Sequence, residues 1–541
     1  MNPVLQRELV AHLRSSRTYA LHGLILALLG LLVIAAWPRT ERIDVTNPVA
    51  ARQLIELFFA GLFLLSSLTA PALAATALAG EKERKTYEML LASALEPSTI
   101  VRGKWLAALA PSLLLTISAL PLVMLCLPLG GMSFYEAAAA TASLLATSAC
   151  FALVGLFASA HFSRTAAALT AAYLAVLPIT LVGVVVWMST SGGSASVRLW
   201  LFGLVVPLGA AIVSSVLFGL IRQRLWYPPD VGSEGRDVVD EQREMRDAIG
   251  LVIRRHEFPD RLFAPAKRTE LLPDGANPVL DKELRSELFS QGTLALRLVI
   301  QVSLLAALPI MGACLYLRPE WTPWYFCYVL LFNVLVGPAF SAGSVTQERE
   351  RRTLDLLLTT TLPAGTILWG KLLGGLRVSG VLTLFLLWPP LLAVLLVPEN
   401  HRQIGSFAAL LLVVLLMCGL TSVLSLCCSV LCRRSSTSLA VAYLTLVALG
   451  CLTPAADYFA RSFFPGTPLA DALAWLSITS PAATLFYVPL EYTIATDGVV
   501  SLIGRAADWE RFALHVGFQI AMLGTLLFAT GRLFRQRYDA E

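Results

Sequence analysis

The sequence predicts an all-α integral membrane protein with about twelve transmembrane helices, arranged as two parallel six-helix repeats. The membrane class follows from composition: 57% of the 541 residues are hydrophobic and 14% are charged, whereas soluble globular domains carry about 25% charged residues. The repeat follows from two motifs that each occur twice.

Each predicted span is an apolar stretch long enough to cross a bilayer, which requires about 20 mostly apolar residues per helix. In the first half the stretches lie at 20–37, 57–79, 105–129, 135–159, 165–188 and 199–221. In the second half they lie at 294–317, 324–343, 374–397, 406–431, 436–453 and 512–533. No small-residue cleavage site follows the first stretch, so it is interpreted as a retained span and not as a signal peptide.

The first repeated motif is "NPVLQREL" from Asn2, which recurs as "NPVLDKEL" from Asn277. Asparagine suits a helix N-cap and the following proline suits the first helical turn. Leucines then recur at four-residue spacing and give one apolar stripe; they are Leu5, Leu9, Leu13, Leu280, Leu284 and Leu288. The motif predicts an amphipathic helix on the membrane surface, with a simple extension of the next span as the alternative.

The second repeated motif is "EKERKTYEMLLASALEPSTIVRGK" at 81–104, which recurs as "ERERRTLDLLLTTTLPAGTILWGK" at 348–371. Placing five such charges at mid-bilayer would cost on the order of 10 kcal/mol, so the charged part belongs in water or against a soluble protein. Two interpretations compete: a solvated loop whose charges fix topology, or a docking surface for a partner. Topology requires only positive charge, so the repeated glutamates favour docking.

Lysine and arginine mark the cytoplasmic side of short loops. They cluster before the first predicted span and after the second, fourth, tenth and last. We therefore expect both termini and both copies of the charged motif to face the cytoplasm, in a multi-pass protein of the inner (cytoplasmic) membrane. The predicted organisation is a first half at 1–221, a charged cytoplasmic linker at 222–276 and a second half at 277–541. Within the second half, residues 454–511 face outward and either re-enter the membrane or add a pair of short spans.

The motifs "NPVL-x-[RK]-EL" and "ER-x-T-x3-LL…I-x2-GK" resemble the permeases of type-2 ATP-binding cassette (ABC) exporters, over nearly the whole chain and as two fused permease halves. The resemblance implies interfacial connecting helices at 4–17 and 279–290, and cytoplasmic coupling helices at 81–91 and 348–358. It also implies two copies of a separate ATPase subunit docked on the coupling helices. The family often has glycine before the motif's threonine, where this chain has Lys85 and Arg352, which puts the local bend in question.

The residues expected to dock the ATPase subunits are those of the two coupling motifs. They are Glu81, Glu83, Arg84, Thr86, Glu88, Leu90, Leu91, Glu348, Glu350, Arg351, Thr353, Asp355, Leu357 and Leu358. Lys104 and Lys371, which begin the next spans, are predicted to be interfacial anchors that extend toward water.

The chain is not expected to hydrolyse ATP. The stretch "GTILWGKL" at 365–372 lacks the hydroxyl residue that a phosphate-binding loop places after its lysine, because Leu372 stands there. ATP and magnesium are therefore assigned to the partner subunits, with no cofactor or metal in this chain. No histidine pairs with another histidine or with a cysteine at metal-ligand spacing, and the cysteine cluster at Cys427, Cys428 and Cys432 is interpreted as apolar packing at the end of a span. A net charge of +5 gives no indication of nucleic-acid binding.

Three other classes of membrane protein are alternatives. An ion-coupled secondary transporter would bury ionisable groups in its spans, and the predicted spans contain few polar groups other than Asn333, His515 and Gln519, interpreted as interhelical hydrogen-bonding residues. A membrane hydrolase would need a catalytic motif inside the bilayer, and none is recognisable in the sequence. A structural or sensory membrane protein is the third alternative. The transported substrate does not follow from the sequence. A path with few charges favours a lipid, a hydrophobic drug or a polymer with a lipid end over a small ion.

Overall fold

In the computed structural model, every regular element of the described residues is helical. The description covers residues 2–13, 49–93, 95–127, 132–162, 165–190, 194–226, 275–285, 322–350, 352–396, 403–464, 466–488 and 508–538, with a few isolated positions besides. These residues form two compact units, one within 1–237 and the other within 238–541.

The first unit contains seven helices among its described residues. They are α1 (Pro3–Leu13), α2 (Val49–Glu83), α3 (Tyr87–Leu91), α4 (Pro97–Cys126), α5 (Phe134–His161), α6 (Thr165–Ser189) and α7 (Ala195–Trp226), the last with a π-helical segment at Leu201–Val205. Helix α2 packs against α4, α5 and α6, while α7 packs against α5 and the short α1 lies on α4. Ala70, Ala74 and Leu78 of α2 form the core of the unit with Phe151 and Leu156 of α5.

The second unit has the same kinds of element in the same order, with additional short helices near its end. They are α8 (Pro278–Arg285), α9 (Thr322–Ser341), α10 (Thr346–Glu350), α11 (Leu354–Leu358), α12 (Ala364–Leu396), α13 (Ile404–Leu431), α14 (Ser435–Val447), α15 (Thr453–Phe463), α16 (Pro468–Leu476), α17 (Pro481–Leu485) and α18 (Trp509–Tyr538). Helix α13 is central and packs against α9, α12, α14 and α18, and α8 lies on α12.

Nine helices of the described residues are long and apolar enough to cross a membrane. Each of these nine helices coincides with one of the predicted stretches. The stretch at 165–188 also forms a helix, α6, so ten of the twelve predicted stretches coincide with helices. The other two, at 20–37 and 294–317, lie wholly or largely outside the described residues. The predicted linker at 222–276 is described at its two ends, and its first residues continue α7 as far as Trp226.

The described part of the outer segment 454–511 consists of short helices. A π-helical segment at Ala448–Leu452 joins α14 to α15, so the helix predicted to end at 453 continues further along the chain. Ser480 caps α17 by accepting a hydrogen bond from the Ala483 N–H (3.4 Å), and its hydroxyl donates to the Gly450 carbonyl (2.8 Å). These contacts fold the segment back against the end of α14.

Candidate functional site

Helices α1 and α8 begin as the repeated NPVL motif predicts. The side-chain oxygen of Asn2 accepts a hydrogen bond from the Val4 N–H at 3.0 Å, and Asn277 makes the same 3.0 Å bond with Val279. The amide nitrogen of each asparagine donates to a carbonyl in the first turn of a long helix, Thr99 of α4 at 2.7 Å or Thr366 of α12 at 2.8 Å. The N-cap predictions are thus confirmed, and each cap also holds its helix against the bundle.

The bend that the sequence left in question is present in both copies, and it divides each predicted coupling helix, at 81–91 and 348–358, between two helices. Helix α2 ends at Glu83 and α3 begins at Tyr87, and between them Lys85 has a φ of 58°. The Lys85 N–H donates to the Lys82 carbonyl (3.1 Å) and the Thr86 N–H to the Glu81 carbonyl (3.0 Å). This pair of bonds is the Schellman ending of a helix, which requires a left-handed residue.

The same bend recurs in the second unit. Arg352 has a φ of 57°, its N–H donates to the Arg349 carbonyl (3.1 Å), and the Thr353 N–H donates to the Glu348 carbonyl (2.9 Å). The bend expected of a glycine is therefore formed by a lysine in one copy and an arginine in the other.

Glu81 is the centre of a buried ion-pair cluster in the first unit. Its Oε1 accepts hydrogen bonds from Lys104 Nζ (3.1 Å) and Arg7 Nη2 (3.3 Å), and the Thr86 hydroxyl donates to Oε2. Lys104 also donates to Glu8 Oε1 (2.7 Å). One carboxylate thereby joins α1, the bend and α4.

Glu348 occupies the same position in the second unit. Its Oε1 accepts a hydrogen bond from Lys282 Nζ (2.7 Å) and lies 3.6 Å from Lys371 Nζ, while the Thr353 hydroxyl donates to Oε2. Lys371 also donates to Glu283 Oε1 (2.9 Å). The contacts match those of the first unit residue for residue, with a lysine replacing Arg7.

Lys104 and Lys371 do not extend freely toward water as the sequence predicted. Both are buried, at 3% exposed, and each ammonium group contacts two carboxylates. Burial of a charge is costly unless it is paired, and the glutamates of the motifs supply that pairing. Their placement at the membrane interface stays a prediction.

Glu83 and Glu350 make intramolecular contacts as well. Glu83 Oε1 accepts hydrogen bonds from the N–H and hydroxyl of Thr165, at 2.7 and 3.0 Å, at the start of α6. The Glu350 carboxylate accepts the equivalent pair from Ser435 at the start of α14, at 2.8 and 2.7 Å. These glutamates thus have a structural reason to recur that neither interpretation of the motif included.

The short helices α3 and α11 expose one face and pack the other against their own bundle. Tyr87 and Leu354 are buried, and the motif leucines pack partly buried against the core; these are Leu90, Leu91, Leu357 and Leu358. On the opposite face Met89 is 74% exposed and Leu356, at the same position of the second motif, is 70% exposed. Arg84, Glu88 and Asp355 are also exposed.

A cleft borders this exposed face in the first unit. It has a volume of about 420 Å³ and is lined by Pro3 and Arg7 of α1, Arg84 of the bend, and Met89 and Leu90 of α3, among others. Glu8, Glu81 and Lys104 line it too, so its rim carries both charges. An exposed methionine beside arginines suits contact with a protein surface. Arg351 and the parts of the predicted connecting helices beyond Leu13 and Arg285 lie outside the described residues.

Several residues of the cluster were missed in the sequence. Glu8, Glu283, Thr165 and Ser435 lie far along the chain from the carboxylates or lysines that they contact, and no local periodicity indicates them. The available signal was the repeat itself, because Glu8 and Glu283 occupy equal positions in the two opening motifs.

Of the three polar residues predicted to bond between helices, Asn333 does so: its side-chain oxygen accepts a hydrogen bond from the Thr383 hydroxyl of α12 (2.7 Å). His515 Nδ1 lies 2.5 Å from the Ile478 carbonyl oxygen. Gln519 is fully buried and its amide atoms have no hydrogen-bond partner in the described part of the chain.

Comparison with known proteins gives one match. A family model described as "ABC-2 family transporter protein" matches residues 195–530, which is more than half of the chain. No curated protein and no solved structure matches. The matched range includes α7 and nearly all of the second unit, with the second copy of the coupling motif.

Proposed function

Since the chain belongs to the ABC-2 transporter family, a family of membrane transport components, we propose that it is the permease of an ABC exporter and is driven by two separate ATPase subunits that dock on α3 and α11. The chain is a multi-pass membrane protein and its family implies an ATP-binding cassette partner. Two copies of that partner, bound to the two motifs, fit a chain in which the docking element occurs twice.

The observation that carries the proposal is the pair of short helices with an exposed apolar residue. Met89 and Leu356 stand at equal positions of α3 and α11, each beside exposed charged residues. Each helix is fixed to its bundle by a buried aromatic or aliphatic residue, and the preceding bend is held by a carboxylate paired with a buried lysine. Closure of the ATPase subunits on ATP would then move the bundles as rigid bodies. ATP and magnesium bind those subunits, and hydrolysis occurs there.

The first half lies mostly outside the family match, and its role as a second permease half rests on the repeat. The contacts of Asn2, Glu81 and Lys104 recur at Asn277, Glu348 and Lys371. Two docking elements on one chain make the fused protein equivalent to a permease dimer. Both motifs face the cytoplasm in this proposal, and the outward-facing segment 454–511 covers the other side.

The test is a double substitution on the exposed face. The tagged chain is purified with its bound partners, and ATP hydrolysis is measured per mole of chain. We expect Met89→Asp with Leu356→Asp to lower the recovered ATPase activity at least tenfold, since a buried charge in an interface core is strongly unfavourable. Gln223→Asp, an exposed position on α7, serves as the control.

Both variants should insert and elute as the unaltered protein does, because neither substitution touches the buried clusters. Equal ATPase recovery from the double variant and the control would refute docking at α3 and α11. Transport by the purified chain alone, under an ion gradient and without ATPase subunits, would instead support a secondary transporter.

A further inference from the structure

A buried ion cluster lies at the end of the first unit where α2 and α7 begin, and docking at α3 makes no use of it. Glu56 of α2 is 3% exposed, and its Oε1 accepts hydrogen bonds from Arg52 Nε (3.1 Å) and Arg198 Nη1 (3.2 Å). Arg198, on α7, is 2% exposed. Glu56 and Arg198 immediately precede the apolar stretches at 57–79 and 199–221.

Aromatic packing fixes the position of the Arg198 guanidinium. Its Cζ lies 4.6 Å from the centre of the Trp187 ring, and the Trp187 indole N–H donates to the Glu56 backbone carbonyl (3.0 Å). The Trp187 ring packs in turn against Phe59 and Phe202, with ring centres 5.7 and 4.8 Å away. Aromatic side chains of α2, α6 and α7 therefore fix the position of the Arg198 guanidinium.

The cluster has more positive charge than its contacts balance. Two guanidinium groups share one carboxylate oxygen, and the Nη2 atoms of both Arg52 and Arg198 are buried without a hydrogen-bond partner among the described residues. Glu136 is the other carboxylate that acts on Arg198, but it caps its own helix by accepting from the Ser133 N–H (2.8 Å) and forms no ion pair with that arginine. A buried cationic donor left unpaired is costly.

We propose that Arg52 and Arg198 bind a phosphate group. Guanidinium donors match the geometry of phosphate oxygens and bind them as paired hydrogen bonds. The Arg52 side chain is 30% exposed, so the cluster borders the surface of the unit. Phe134 and Tyr135 at the start of α5, and Trp200 on α7, are exposed aromatic residues at this same end, as is typical of the level of lipid head groups.

The chemistry is shared by two sources, a phospholipid head group and free phosphate, and the experiment separates them. The full-length chain is purified in an uncharged detergent and phosphate-free buffer, and binding is measured by calorimetry. The probes are dihexanoylphosphatidylglycerol, inorganic phosphate, and dihexanoylglycerol, which lacks the phosphate. We expect the first probe to bind and the third not to bind. Binding of inorganic phosphate with equal affinity would assign the site to the free ion.

Three substitutions test the residues. Arg198→Gln should weaken binding of the phosphate probe at least tenfold, because a charge-assisted bond is lost. Arg222→Gln, an exposed arginine on the same helix, should leave it unchanged. Glu56→Gln should strengthen binding severalfold, because it releases both guanidinium groups from their carboxylate. This increase is decisive even if Arg198→Gln fails to fold.

The proposal is overturned if dihexanoylglycerol binds as well as the phospholipid, or if neither phosphate probe binds. Unchanged affinity in a folded Arg198→Gln variant, or unchanged or weaker affinity in Glu56→Gln, would also overturn it.

Discussion

Lys85 and Arg352 adopt a left-handed backbone conformation that L-residues with a Cβ rarely occupy. Such a residue costs about 1–2 kcal/mol relative to a right-handed one, and glycine avoids this cost. Both bends are maintained because the Schellman hydrogen bonds and the buried glutamates hold the chain on either side. The strain is therefore a property of the fold and not of the side chains at these positions.

Replacing Arg352 by glycine should stabilise the protein by about 1 kcal/mol, because glycine relieves the backbone strain. Arg352→Ala is the matched control, since it removes the same side chain but keeps the Cβ. The measurement is the midpoint of thermal unfolding in detergent for both variants. Equal midpoints for the two would show that the backbone at this bend is unstrained.

The Glu348–Lys371 pair should show a strong energetic coupling. Glu348→Gln removes one of the two carboxylates at the buried Lys371 ammonium, and Lys371→Met leaves Glu348 with Lys282 and Thr353, so each single variant should lose about 1–3 kcal/mol of stability. The double variant should lose less than the sum of the two. A double-mutant cycle with the free energy of unfolding as readout gives the coupling energy. An additive result would show that the Glu348–Lys371 contact does not contribute to stability.

At the scale of the elements, α1 and α8 each lie unusually close to the long helix against which they pack, α4 and α12 respectively. A Cβ added to Gly370 of α12 would lie 2.9 Å from the Leu280 backbone nitrogen and 3.0 Å from Val279 Cβ. At Gly103 of α4 the nearest atom would be Val4 Cβ, at 2.8 Å. The absence of a side chain at these glycines is thus what lets α1 and α8 dock.

Gly370→Ala should displace α8 and lower stability by about 1–3 kcal/mol, because a backbone atom is in the way and cannot rotate aside. Gly380→Ala on the same helix meets nothing within 4 Å, so it should be neutral or stabilising by up to about 1 kcal/mol through helix propensity. Thermal unfolding of both variants is the measurement. A Gly370→Ala variant as stable as Gly380→Ala would contradict the close approach.

The elements that follow from local pattern were predictable, and those that depend on long-range pairing were not. Apolar length predicted the long helices and the NPVL motif predicted the caps at Asn2 and Asn277, because both depend on neighbouring residues. The resemblance implied coupling helices at 81–91 and 348–358 but left their bends in question, because a lysine or an arginine gives no local sign of a left-handed conformation. The partners of Glu81 and Glu83 come from distant helices and only the fold brings them together.

At the scale of the whole molecule, the repeat makes a prediction about sidedness. Matching points of the two halves are separated by an even number of predicted spans, so α3 and α11 should face the same compartment. In a cysteine-free background expressed without the ATPase subunits, so that docking does not cover the two positions, Met89→Cys and Leu356→Cys should react with a membrane-impermeant maleimide in inside-out vesicles. Neither should react in intact cells. Labelling of one position from outside would place the two motifs on opposite sides and rule out docking at both.

The two bends have a mechanical consequence for such a molecule. In the first unit the glutamates at the end of α2 attach the bend to α1, α4 and α6 through Lys104, Arg7 and Thr165. A torque applied at α3 would therefore be transmitted to several helices at once, because the bend does not act as a flexible hinge. The stiffness of the bend, more than the affinity of the ATPase subunit for α3, would determine how much of that subunit's movement is transmitted to the opposite side of the membrane.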